Sequence, residues 1–150
     1  MKTTQIEFGA DTLALRVPDG ADVLTLPAVT PLADPGAALR QGLADPIGTP
    51  ALAELVRSKA AEGASPSAVI VISDNTRPVP YTGPAGIVEP LLALLRSGGV
   101  GDIVLLVATG THHGLDDAQL RAMLPAVAFA PDVRIVNHDC TDTGSLRRIG

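Results

Sequence analysis

Residues 68–107 read AVIVISDNTRPVPYTGPAGIVEPLLALLRSGGVGDIVLLV. Two short aliphatic runs, 68–72 and 102–107, enclose a polar, proline-rich loop and then a helical pattern. In that pattern Ile87, Leu91, Leu94 and Leu95 fall on one stripe. Continuous apolar runs of this length suit parallel strands covered by helices. The spacing predicts a helix over 84–96, closed by Gly98 and Gly99, with Pro90 as a kink or a boundary inside it.

The same rhythm extends outward. Leu52, Leu55, Val56 and Lys59 lie at helical spacing, with Gly63 as the stop signal. Asp34 followed by Pro35 predicts a capped helix running to about Leu43. Downstream, a helix is expected over 116–124 and a third strand over 133–137, VRIVN. Helix and strand alternate, which predicts an α/β, Rossmann-like three-layer domain with a mostly parallel sheet. The opening differs. Residues 5–9 and 12–17 alternate partly with period two around Gly9, and 22–26 reads as a further short strand. A small N-terminal antiparallel strand unit over about 1–30 is expected within the 1–150 domain.

Composition narrows the class. The chain has 150 residues, 46% of them hydrophobic but only 2% aromatic, so Val, Ile, Leu and Ala must fill the core. Charged residues make up 18%, which argues against disorder. The formal net charge of −5, with no basic stripe, predicts no nucleic-acid partner and no membrane. The single cysteine, Cys140, excludes an internal disulfide framework. Residues 1–7 are polar with no apolar segment behind them, so a cytoplasmic location is expected. The polar tail 141–150 has no closing element, as in a domain end or the front part of a longer polypeptide.

Ligands of open parallel sheets bind beyond the carboxyl ends of the strands. Two such ends carry chemistry here. After the first strand, residues 73–80 read SDNTRPVP. Arg77 offers a fork that matches a carboxylate. Asp74 either caps a turn and pairs with Arg77 structurally, or orients a neighbouring imidazole. After the second strand, residues 108–113 read ATGTHH. Gly110 permits close backbone approach, and His112 is placed as a general acid or base. Histidine is the residue type whose two protonation states are both accessible near neutrality. His112 and His113 as a zinc motif lack a third ligand nearby in sequence. Gly83-Pro84 offers a weak anion signal at a helix start. His138, Asp139 and Cys140 carry no nucleophile-elbow pattern; the role expected of His138 and Asp139 is at most to hold the first site in place, and Cys140 is read as a bystander. Neither a GxGxxG after a strand nor a GxxxxGK[ST] occurs.

The segments SDNTRPVP (73–80), ATGTHH (108–113) and NHD (137–139), in this order, resemble the signature loops in the N-terminal domain of the nickel-pincer lactate racemases. The resemblance runs from the opening strands to residue 140. It implies racemisation or epimerisation of a lactate-like 2-hydroxy acid, in which a histidine takes the hydroxyl proton while the α-hydride moves to a nickel-pincer nucleotide. Carried onto this chain, it makes Arg77 the carboxylate-binding arginine, Asp74 the supporting acid and His112 one of two catalytic histidines. Thr76, Asn75, Gly110 and Thr111 become cofactor contacts, with no metal ligand. Asn75 and His113 depart from the family's usual histidine and arginine at these positions. The second catalytic histidine, the nickel-binding histidine and the tethering lysine have no counterparts here, the only lysines being Lys2 and Lys59. The implied partners are the substrate and the C-terminal portion of a longer chain. A homo-oligomer is left open, and the cofactor is expected only in the full-length protein. Two other readings stand beside this one, a nicotinamide-dependent 2-hydroxy-acid oxidoreductase and a non-enzymatic small-acid binding domain.

Overall fold

The computed structural model describes residues 1–62 and 65–147. Gly63, the expected helix stop, lies outside the described residues. The chain divides into two compact units, Met1–Pro31 and Leu32–Gly150.

The first unit is a hairpin. Strand β1 (Lys2–Phe8) pairs antiparallel with β2 (Asp11–Val17), in a register that sets Ile6 opposite Leu13 and Thr4 opposite Leu15. Directly opposed residues share a face, so one face gathers Ile6, Phe8, Leu13, Leu15 and Val17 beside Lys2, Thr4 and Asp11, and the other carries Thr3, Gln5, Glu7, Thr12 and Arg16. Residues 22–26 correct the expectation of a third strand: they form no ladder and are exposed. Alternation in DVLTL is not enough without a neighbour to take its backbone hydrogen bonds.

The second unit is built on three parallel strands, β3 (Ser67–Ser73), β4 (Asp102–Ala108) and β5 (Val133–Asn137), in the order β3-β4-β5. Helices α1 (Pro35–Ala44), α2 (Leu52–Ala61), α3 (Val88–Ser97) and α4 (Asp117–Met123) flank it, with a 3₁₀ turn at Ala126–Phe129. This is the α/β, Rossmann-like three-layer class that the helix–strand rhythm predicts. Asp34 caps α1 by accepting from the Ala37 N–H at 2.8 Å, with Pro35 in the first turn. Asp116 and Gln119 cap α4 reciprocally.

The core lies where Ile103, Leu105 and Val107 of β4 meet Val88 and Leu92 of α3, all fully buried. Gly98 closes α3, and an added Cβ there would collide with Val56 Cγ1 of α2. A glycine therefore sets how closely α2 approaches the end of α3. Arg96 of α3 donates to both carboxylate oxygens of Asp132, at 2.6 and 2.9 Å, and ties the helix to the start of β5. Cover over the opposite sheet face is thinnest at β3, where Val69 and Val71 are each 63% exposed.

Helix α3 begins at Val88, four residues later than the pattern of 84–96 predicts. Residues 83–86 close a turn instead: Gly83 has φ +79° and its carbonyl accepts the Gly86 N–H. Gly83-Pro84 is therefore not at a helix start. Pro90 then falls in the first turn of α3, where its missing N–H has no intrahelical partner to lose, and neither kinks nor ends the helix. No helix among the described residues is long and apolar enough to cross a membrane.

Candidate active site

Parallel pairing brings Ser73 opposite Ala108, so the loops after β3 and β4 leave the sheet side by side. Each turns at once. Asp74 heads an Asx turn: its Oδ1 accepts from the Thr76 N–H at 3.2 Å and the Thr76 hydroxyl at 2.5 Å. Further on, the buried Tyr81 folds back, and its hydroxyl accepts the Ser73 N–H at 2.6 Å. In the second loop Gly110 has φ +61°, a value L side chains rarely adopt, and the His112 N–H closes the turn on the Thr109 carbonyl at 3.0 Å.

The two turns meet. His112 Nδ1 lies 2.5 Å from Asp74 Oδ2, pairing residues 38 positions apart. The Asp74 side chain is 6% exposed and that of His112 is 52% exposed. Both carboxylate oxygens are thereby engaged, Oδ1 by Thr76 and Oδ2 by His112. The hydrogen bond from His112, then that from the Thr76 hydroxyl, pull the Asp74 carboxyl down to about 2, against a smaller opposing effect of burial. An ionised Asp74 can only accept, so Nδ1 carries the proton and Nε2 is left as the acceptor of a neutral ring.

Arg77 is exposed, and among the described residues it has no carboxylate partner. Its Nη1 donates only to the Thr76 hydroxyl, at 3.4 Å. Asp74 both caps its turn and pairs with the imidazole, but it does not pair with Arg77, which is left available to an anion. Asp74, Thr76, Arg77, Gly110, Thr111 and His112 line one cleft of about 380 Å³ at the strand ends. Asn75 is exposed and does not line it. A neighbouring cavity of about 490 Å³ shares Thr111 and His112 and reaches His113, His138 and Cys140.

The third motif meets expectation at His138 and not at Asp139. Asp139 accepts from the N–H and hydroxyl of Thr141, at 2.8 and 2.6 Å, which hold its carboxyl below the ordinary range. It serves its own turn and makes no hydrogen bond to the first site. Support comes instead from Asn137, whose amide bonds Leu115, and from the His138 backbone, whose carbonyl accepts from the buried Thr109 hydroxyl at 2.6 Å. Cys140 is a free, exposed thiol. Among the described residues no three His, Cys, Asp or Glu side chains gather to hold a metal ion, and His112 with His113 gains no third ligand. Thr109, Tyr81 and Asn137 were not singled out as site residues. Thr109 and Asn137 lie inside motifs quoted for other residues, whereas nothing local marks Tyr81.

A family model described as the lactate racemase N-terminal domain matches residues 8–150. Among solved structures, the lactate racemase apoprotein from Thermoanaerobacterium thermosaccharolyticum is similar over 99% of this chain, with a TM-score of 0.71 and 24% sequence identity. The match covers 33% of that chain, so the present chain spans about a third of its length. A crystal structure of a Thermotoga maritima protein overlaps 65% of this chain and 24% of its own, at 24% identity and a TM-score of 0.45. No curated protein sequence matches.

Proposed function

Because the chain belongs to the lactate racemase N-terminal domain family, we propose that it forms one wall of the active cleft of a longer isomerase that racemises or epimerises a 2-hydroxy acid. The observation that supports this reading is the Asp74–His112 pair beside an unpaired Arg77 in one cleft.

Arg77 grips the substrate carboxylate through two parallel N–H bonds. That fixes the 2-hydroxyl against His112. Nε2 takes the hydroxyl proton, and the ionised Asp74 stabilises the imidazolium that forms while keeping Nδ1 protonated. Loss of this proton together with the α-hydride leaves a planar 2-keto acid. Return of the hydride to either face of the carbonyl carbon, with the proton returned to its oxygen, scrambles the configuration. His112 serves one face only, so a second acid–base group must come from the longer polypeptide of which this chain forms one wall.

The family resemblance implies a nickel-pincer nucleotide, which when bound supplies reversible hydride acceptance. The nickel-binding histidine and the tethering lysine that the resemblance implies have no counterparts in this chain's motifs, so the protein's hold on the nickel would come from the longer chain. Thr76, Thr111 and Gly110 border the cleft and would contact the organic part of the group. Asn75 remains a proposed contact from its place in the motif.

The test is chiral chromatography of product from the full-length protein charged with the nickel cofactor. Loss of configuration in lactate or a related 2-hydroxy acid is expected. Retained configuration across a broad panel of such acids, with binding alone in calorimetry, would replace the isomerase by a small-acid binding domain.

A further inference from the structure

The geometry points to Asn137 as a positioning residue for His112, acting through the loop that carries the imidazole. The inference rests on the role proposed for His112, but its physical content is separate from turnover.

Loop 108–115 has few means of holding its own shape. Beyond the single turn closed by the Thr109 carbonyl, the bond from His112 to Asp74 and the burial of the Leu115 side chain, its fixed points lie on the end of β5. At the near end the Thr109 hydroxyl donates to the His138 carbonyl at 2.6 Å, and the His138 N–H donates to the Val107 carbonyl at 2.9 Å. At the far end the Asn137 side chain acts as a substitute strand edge. Its Oδ1 accepts the Leu115 N–H at 3.0 Å, and its Nδ2 donates to the Leu115 carbonyl at 2.9 Å. One amide thus satisfies both backbone groups of the residue that closes the loop. Gly114 lies directly against it: a Cβ at Gly114 would sit 3.1 Å from Asn137 Cγ and 3.2 Å from its Cβ.

His112 stands between these two fixed points, three residues from each. Its ring is half exposed, so packing alone does not hold it against Asp74. The bracing of the loop supplies the missing constraint. Only an amide can do this at position 137. A carboxylate keeps the acceptor for Leu115 N–H but loses the donor to its carbonyl, and an aliphatic side chain loses both.

The experiment reads the imidazole directly. In the ¹⁵N-labelled full chain, at a pH where the ring is neutral, long-range ¹H–¹⁵N spectra report which nitrogen of His112 is protonated. The native protein is expected in the Nδ1–H form that Asp74 imposes. In Asn137→Ala the ratio should move about tenfold towards Nε2–H, the tautomer an unconstrained imidazole favours. Asn137→Asp should fall between the two. Core amides such as those of Ile103 and Leu105 should stay unchanged. If Asn137→Ala does not fold, Gly114→Ala presses on the same amide and should shift the ratio in the same direction. An unchanged Nδ1–H signature in whichever of these variants folds would overturn the inference, whether or not the protein racemises anything. Absence of racemisation with the signature shifted would instead overturn only the proposed function. In an active full-length enzyme, Asn137→Ala should lower kcat by about tenfold and leave KM nearly unchanged.

Discussion

The two loops that make the cleft are held by opposite means. Loop 73–81 closes on itself: Asp74 bonds Thr76, and Tyr81 returns to Ser73, so the bonds that shape it span at most eight residues. Loop 108–115 is held chiefly from a distance, by Asp74, Asn137 and the His138 backbone, 22 to 38 residues away. A self-closed loop presents fixed groups, here a carboxylate and a guanidinium. A loop braced from outside can be tuned by residues that never face the cleft.

Four measurements test that contrast. His112→Ala removes the acid–base group that the braced loop holds against Asp74, and full-length turnover should fall by roughly 10²–10⁴-fold. A smaller fall would show that loop 108–115 contributes binding rather than chemistry. Arg77→Lys keeps the charge of the self-closed loop but loses the fork. The expected loss is about 1.5–3 kcal/mol in kcat/KM, read by steady-state kinetics on a 2-hydroxy acid. Tyr81→Phe removes that loop's tether and leaves the Ser73 N–H without its partner. Denaturant unfolding should show a loss of about 1 kcal/mol. No change would mean that loop 73–81 holds its shape by the Asx turn alone.

The last measurement concerns the contact between the loops and fades with acid. Asp74 is depressed from 3.8 to about 2 on folding, so its ionised form stabilises the native state above pH 3.8. That contribution disappears as pH falls towards 2. Thermal unfolding of Asp74→Asn against the native protein should show the native advantage at neutral pH and a closing gap between those values. A gap independent of pH would assign the effect to packing rather than charge.

This division also decides what was legible in the sequence. Strand β5 could be read to the residue and β3 and β4 to within one at each end, because apolar runs bounded by polar ones carry their own limits. The cap of α1 was legible in Asp34 and Pro35. Asp74, Arg77 and His112 could be singled out because each follows a strand directly or sits in a polar cluster. Which partner Asp74 takes could not, since that depends on β3 and β4 pairing in register. Asn137 and Thr109 were hidden for the same reason: their partners exist only once β4 and β5 lie side by side. The start of α3 and the fate of 22–26 were misread because local pattern overrode hydrogen-bond geometry, a Gly83 turn in one case and a missing neighbour in the other.

The level pairing of Ser73 with Ala108 has a genetic corollary. Within β4 a side chain can be exchanged for one of similar volume at modest cost, but the number of residues cannot be changed. Deleting one residue within β4 would either turn Ile103, Leu105 and Val107 to the other side of the sheet or drag the His112 turn a full step back from Asp74. Insertions and deletions there should be purged far more strictly than replacements, and the stretch between the two loops should tolerate a change of letters long before a change of frame in the ladder.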